Sequence, residues 1–286
     1  MKKSLIALSF GTFGLGIAEF VMMGILPDVA RGLSVSIPDA GHFIAAYALG
    51  VCFGAPMLVL LRTRPLKQIL MLLVALMMAG NLCAAISPSY GMMLVARFIS
   101  GLPHGAYFGV ASIVADKLAD KGKGSLAVAI MIAGMTFANL VGVPLGTFLS
   151  TFISWRLVFL LVVFWGFIVL HGIFHWVPQI APLPDTGFKG QFRFFKHLAP
   201  WLILGATLLG NGGAFSFYSY VNPVLVNIAG FKPGVISGLM VFAGLGMVIG
   251  NLLGGRLSDT YSPGRVAAFM QGLICVSLIA LYFLSP

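Results

Sequence analysis

Two charged residues stand inside apolar runs where charge is costly: Glu19 in FGLGIAEFVMMGIL and Arg97 in MMLVARFISGLPHG. Low insertion estimates still put an arginine at a membrane-helix centre at about 2.5–3.5 kcal/mol, so Arg97 needs a partner or water. Glu19 is the one acid inside any apolar run, which nominates it. It lies seven residues inside Leu26, and Arg97 lies six inside Gly91. At about 1.5 Å per residue both sit roughly 10 Å below the same edge. A carboxylate paired there with a guanidinium keeps its charge, and takes up a proton when substrate or water parts the pair. That is the chemistry of a proton-coupled switch; the alternative is that each group meets water on its own.

Other chemistry-bearing residues are polar rather than catalytic. His104, Thr136, Asn139, Asn211 and Tyr218 are candidates to line a substrate cavity, and core hydrogen bonding is the competing role for each. His171 and His175 have metal-compatible i, i+4 spacing but no third ligand in view. No Ser/His pair, paired carboxylates or metal-ligand set occurs at membrane depth, so the sequence points away from an enzyme and needs no cofactor. A proton gradient is the expected energy source.

The elements that must position these residues are membrane spans. The chain has 286 residues, 59% of them hydrophobic and 8% charged, with a mean hydropathy of +1.04. Lipid rather than water is its solvent. Runs of about 20 apolar residues suit a hydrocarbon core of about 30 Å. About nine occur: Ser4–Leu26, Gly41–Leu61, Gln68–Ile86, Gly91–Ala115, Ser125–Ser150, Leu157–Val177, Pro200–Val226, Val235–Leu253 and Val266–Phe283. The expected class is an all-α membrane protein. Residues 1–22 read as the start of the first span rather than a cleaved leader, since the run carries Glu19 and continues to Leu26. Cys52, Cys83 and Cys275 fall inside spans and read as small buried apolar residues.

The formal charge of +10 does not signal nucleic acid. With loops assigned alternately, thirteen basic residues fall on one side against Arg31, Arg156 and Lys232 on the other. The positive-inside rule then places the N-terminus in the cytoplasm of a bacterial inner membrane. Pro178–Ala199, rich in proline and cations, reads as a cytoplasmic linker, its FRFFKH segment lying along lipid headgroups.

Shifting the sequence by 196 residues superposes Gly14, Gly16, Ala18 and Pro27 on Gly210, Gly212, Ala214 and Pro223. The same shift puts Leu49, Gly50 and Gly54 on Leu245, Gly246 and Gly250. An internal repeat follows, with residues 1–178 as a complete six-helix bundle, 179–199 as the linker and 200–286 as three helices of a second bundle. Two complete units would run 106 residues beyond this chain. The expectation is therefore C-terminal truncation, and a non-transporting remnant with exposed helix faces competes with every transport reading.

Three glycine-rich motifs complete the reading. Gly255, Asp259 and Arg265 lie in GRLSDTYSPGR, a short charged turn expected to latch neighbouring helices. Gly101 and Gly105 follow Arg97 at spacings of four and eight, where small residues let helices approach. Gly134, Gly142, Pro144 and Gly146 make the fifth span one that bends and packs closely.

These motifs, with Glu19-Phe20, Leu26-Pro27 and Ser154-Trp155-Arg156, resemble the sugar-efflux, drug:proton antiporter branch of the major facilitator superfamily. Gly146-Thr147 departs from the glycine pair that usually ends the fifth-helix motif. The resemblance implies a twelve-helix, two-bundle transporter working by alternating access, usually as a monomer; a truncated one would have faces for association. It implies proton-driven export of a small solute such as a sugar or drug, with Glu19 and Arg97 as the coupling pair. Uptake by symport is the other transport reading.

Overall fold

The computed structural model describes residues 2–61, 63–121, 123–182 and 193–284. Its helices are α1 (Lys2–Gly32), α2 (Ile37–Met57), α3 (Leu66–Ala85), α4 (Tyr90–Lys117), α5 (Gly124–Phe137), α6 (Val143–Ser150), α7 (Trp155–Trp176), α8 (Leu198–Ser219), α9 (Val221–Pro223), α10 (Ile236–Thr260) and α11 (Pro263–Leu284). Among the described residues nine stretches are long and apolar enough to cross a membrane, and no strand occurs.

Local chemistry sets several boundaries. Ser36 caps α2 by accepting from the Asp39 amide at 3.1 Å, with proline in the first turn, so α2 starts before the expected Gly41. Ser89 caps α4 through the Met92 amide at 3.4 Å. The fifth span is continuous but widens into a π turn over Ala138–Gly142 between α5 and α6. Pro144 lacks the N–H that would bond the carbonyl four residues back, and the wider turn accommodates that loss.

The seventh span departs from the continuous helix expected over Pro200–Val226. It breaks at Tyr220, and α9 runs into a second π turn, Val224–Ile228, closed by the Ala229 amide on the Val224 carbonyl at 3.0 Å. Pro223 again removes a donor. A second departure concerns the charged turn: α10 continues to Thr260, so Gly255 and Asp259 belong to a helix and only Tyr261 and Ser262 separate it from α11. Nothing breaks the helix before Pro263, which serves as the first residue of the next. The surroundings of Gly255 and the side chain of Asp259 lie outside what the structure describes, while Arg265 is exposed. Residues 183–192 of the expected linker also lie outside them.

The first six spans share an apolar core in which α2, α3 and α4 approach closely. A Cβ added at Gly54 would strike the Leu102 carbonyl, and one at Gly101 the Tyr47 carbonyl, so only glycine permits these crossings. Thr12 of α1 donates to the Met131 carbonyl of α5 at 2.6 Å, and Trp165 of α7 to the Phe10 carbonyl at 2.8 Å. Helix α8 has no buried residue. The later helices meet the first six through Val221, Asn222 and Pro223, and through Gly244, which lies against the Asn139–Leu140 backbone. Cys52 and Cys275 face outward instead of into the core, because they sit on helix sides turned away from neighbours; all three cysteines are free thiols.

Candidate functional site

Arg97, Ser100, Gly101 and His104 fall on one face of α4 by their i, i+3, i+4, i+7 spacing. Arg97, Gly101 and His104 pack on α1 and α2, and Ser100 lies against Gly80 of α3. Arg97 is wholly buried, with 0% exposure. Its Nη1 donates to the Ala18 carbonyl of α1 at 2.7 Å, and its Nε to the Phe43 carbonyl of α2 at 3.4 Å. The guanidinium lies 4.4 Å from the Tyr47 ring centroid and 5.9 Å from that of Phe159. Two carbonyls and two aromatic faces thus replace its hydration, the condition for keeping the cation at this depth. Nη2 is buried without a hydrogen-bond partner.

The expected direct Glu19–Arg97 ion pair is not formed. Glu19 instead points its Oε2 at His104 Nε2, 3.5 Å away. The guanidinium is already engaged with the carbonyl next to Glu19, and its flat face is turned to Tyr47, which leaves the carboxylate to lie along α1 toward the next turn of α4. The charges still act on each other through the apolar surroundings. On the far side of His104, Nδ1 is 2.9 Å from the Tyr47 hydroxyl, which also reaches the Leu15 carbonyl at 3.5 Å. His104 stacks on Phe108 at 5.2 Å. A continuous array, Glu19–His104–Tyr47, therefore runs beside a caged guanidinium. The Glu19 side chain keeps 21% exposure, so the array is reachable from one end.

The other sequence candidates divide. Asn139 is buried; its Nδ2 donates to the Met135 carbonyl at 3.2 Å and its Oδ1 has no hydrogen-bond partner. Tyr218 packs its ring 6.2 Å from Phe20, beside Glu19, and donates to Met240 Sδ at 3.8 Å. Asn139 and Tyr218 thus stand where the first six spans meet the later helices. Thr136 is half-buried on α5, and Asn211 is exposed on α8, one turn before Phe215, whose ring lies 5.7 Å from Phe20. Gly134, Gly142 and Gly146 all face α1, against Ser9, Ile17 and Val21. Gly105 is less tight, 3.4 Å from Ala55. The His171 and His175 rings lie 4.4 Å apart, tilted by 52°, and no metal-binding group of three or more ligands occurs among the described residues.

Sequence reasoning passed over Tyr47. Its signal was a phenol in AAYALG, where every neighbour is small or aliphatic and a hydroxyl must find a partner inside the membrane.

Residues 8–286 match the profile described as Major Facilitator Superfamily. The chain is 47% identical over 284 residues to AraJ of Escherichia coli (strain K12), a protein named as a transporter, covering 99% of this chain and 72% of that one. It is 39% identical over 282 residues to the inner membrane transport protein YdhP of the same organism, covering 98% and 72%. A chloramphenicol resistance protein of Streptomyces lividans is 30% identical over 291 residues, covering 100% and 74%. Among solved structures, a partially occluded inward-open form of the xylose transporter XylE from E. coli superposes with a TM-score of 0.72 at 13% identity, covering 91% of this chain and 73% of that one. A bacterial homologue of the lysosomal transporter Spinster gives 0.69 at 21%, covering 91% and 63%. At these identities the structures speak for the fold alone. Fold and relatives are those of transporters rather than enzymes.

Proposed function

The chain belongs to the Major Facilitator Superfamily and is a multi-pass inner-membrane transport protein, and from that premise we propose that it exports a small solute in exchange for protons. The observation that carries this reading is the Glu19 carboxylate: half-buried at mid-span, with its Oε2 short of a hydrogen bond, 3.5 Å from an imidazole and near a caged arginine. A carboxylate so placed costs little when protonated and needs Arg97 when charged, so its proton occupancy and the packing around it are coupled. His104 presents one ring nitrogen to Glu19 and the other to Tyr47, so the imidazole tautomer decides whether Glu19 faces a donor or a lone pair. Solute and proton then compete for the same site, which is antiport.

Export is favoured over uptake by the relative named for chloramphenicol resistance. In this reading the N-terminus is cytoplasmic, residues 1–178 form one half, 179–199 the cytoplasmic linker and 200–286 the start of the second half. Gly255, Asp259 and Arg265 gate the cytoplasmic end. A full-length protein works as a monomer, a truncated one has faces for association, and sugars and drugs are the solute classes.

Everted membrane vesicles with an imposed pH gradient and labelled probes, one neutral monosaccharide and one lipophilic drug, test the proposal. Gradient-driven accumulation of either probe in the vesicles, abolished in Glu19→Gln at equal expression, is the expected result. Loss from preloaded vesicles would establish uptake in the cell; coupling unchanged in Glu19→Gln would remove Glu19 from the mechanism.

A further inference from the structure

At the end of the bundle opposite the N-terminus, a cavity of about 460 Å³ opens between α1, α6, the turn after α9 and the approach to α10. That volume is in the range of small-molecule sites. Its polar wall is made by Asp28, Arg31, Ser150, Thr151, Asn222 and Asn227, and the remainder is mainly proline and branched aliphatic surface. The Asp28 carboxylate is engaged on both oxygens: one receives Arg31 Nη2, and the other accepts from the Ser150 hydroxyl at 3.0 Å. The two charges pair across the wall, Arg31 on its exposed side, so the wall carries no net charge. Ser150, Thr151 and Asn222 spend their donors on Asp28 and on the Phe148 and Gly24 carbonyls, so what remains on offer is hydroxyl and amide oxygens and the Asn227 amide beside aliphatic faces. That chemistry suits a small neutral polyhydroxylated solute, whose hydroxyls donate and accept while its C–H faces lie on apolar surface.

This cavity is separated from the Glu19 array by a closure. Asn222 of the broken seventh span donates its Nδ2 to the Gly24 carbonyl, and Gly24 is pressed against Thr147 of α6. Gly24 lies five residues from Glu19, about 7.5 Å along α1. The Asn222–Gly24 contact is therefore the floor of the cavity and a barrier above the array.

We propose that the cavity is a second solute site, selective for neutral polyhydroxylated molecules, standing on the far side of the Asn222 closure from Glu19. Its role as a waiting site rests on the transport reading above; its capacity to bind does not. Calorimetric titration of the full chain in lipid nanodiscs with xylitol, gluconate and glucosamine tests it. Xylitol is expected to bind in preference to both charged probes. Asn227→Leu and Thr151→Val, both at exposed positions, each weaken xylitol binding about five-fold or more, while Glu19→Gln leaves it unchanged. The proposal is overturned by absence of xylitol binding, by tighter binding of either charged probe, or by xylitol affinity equal in both cavity variants and the wild type. Xylitol binding that follows this pattern in a protein that moves no probe in vesicles would sink the transport reading and leave the site standing.

Discussion

His104 stands between Glu19 and Tyr47, with Nε2 3.5 Å from the carboxylate and Nδ1 2.9 Å from the phenol, while Arg97 turns to the carbonyls of Ala18 and Phe43. The arginine is a fixed charge beside the array, and the histidine is the member that touches both ends.

Replacing His104 with glutamine keeps a polar side chain of similar reach but removes the exchangeable ring protons. Proton-driven flux in the vesicle assay is expected to fall about a hundred-fold or more, as when a positioned acid–base group is lost. Thermal stability of the purified protein should change little. A variant with wild-type flux would show that the imidazole is only a packing element.

Tyr47→Phe keeps the ring over Arg97 and deletes the hydroxyl that meets His104. The expected cost is about 0.6–1.7 kcal/mol, the range of polar contacts inside membrane proteins. Tyr47→Ala also removes the aromatic face 4.4 Å from the guanidinium, and should cost about 2 kcal/mol more from cavity and cation–π losses. Denaturation of both variants in one detergent gives the comparison; equal losses would mean that the ring contributes nothing to holding Arg97.

Arg97→Lys is not conservative here. A lysine cannot reach two carbonyls on different helices while lying flat on an aromatic ring. Arg97→Met removes the charge altogether, leaves the Ala18 and Phe43 carbonyls without their donor at about 1–3 kcal/mol each, and takes the opposing charge away from Glu19. Both variants should accumulate poorly in membranes, and the double variant Arg97→Met/Glu19→Gln should recover much of the loss. Failure of the double variant to recover would break the link between the two residues.

Gly54→Ala places a methyl against the Leu102 carbonyl of α4, whose neighbourhood carries the site. Overpacking of this kind costs about 1–3 kcal/mol. Gly91→Ala, on the same helix as Leu102 but with nothing within 4 Å, is the control and should be neutral or stabilising. Melting temperatures of the two proteins should differ by several degrees; coincident values would show that the α2–α4 crossing relaxes freely.

Much of the architecture was legible in the sequence because a bilayer converts composition into length. Runs such as Gln68–Ile86 declare a span by needing to cover about 30 Å, and α3 occupies Leu66–Ala85. Glu19 and Arg97 were legible for a related reason: a charge in hydrocarbon is rare and must be answered. Their depth could be counted in residues along each helix. Rotation about the helix axis and the crossing of neighbours could not be counted, and these decide which atoms meet. The tertiary structure alone turned Glu19 to His104, gave Arg97 two backbone carbonyls and brought in Tyr47. It also carried α1 unbroken through Pro27 while the equivalent Pro223 sits in a broken span. A proline removes the same donor in both places, and the packing around each determines whether the helix continues or opens.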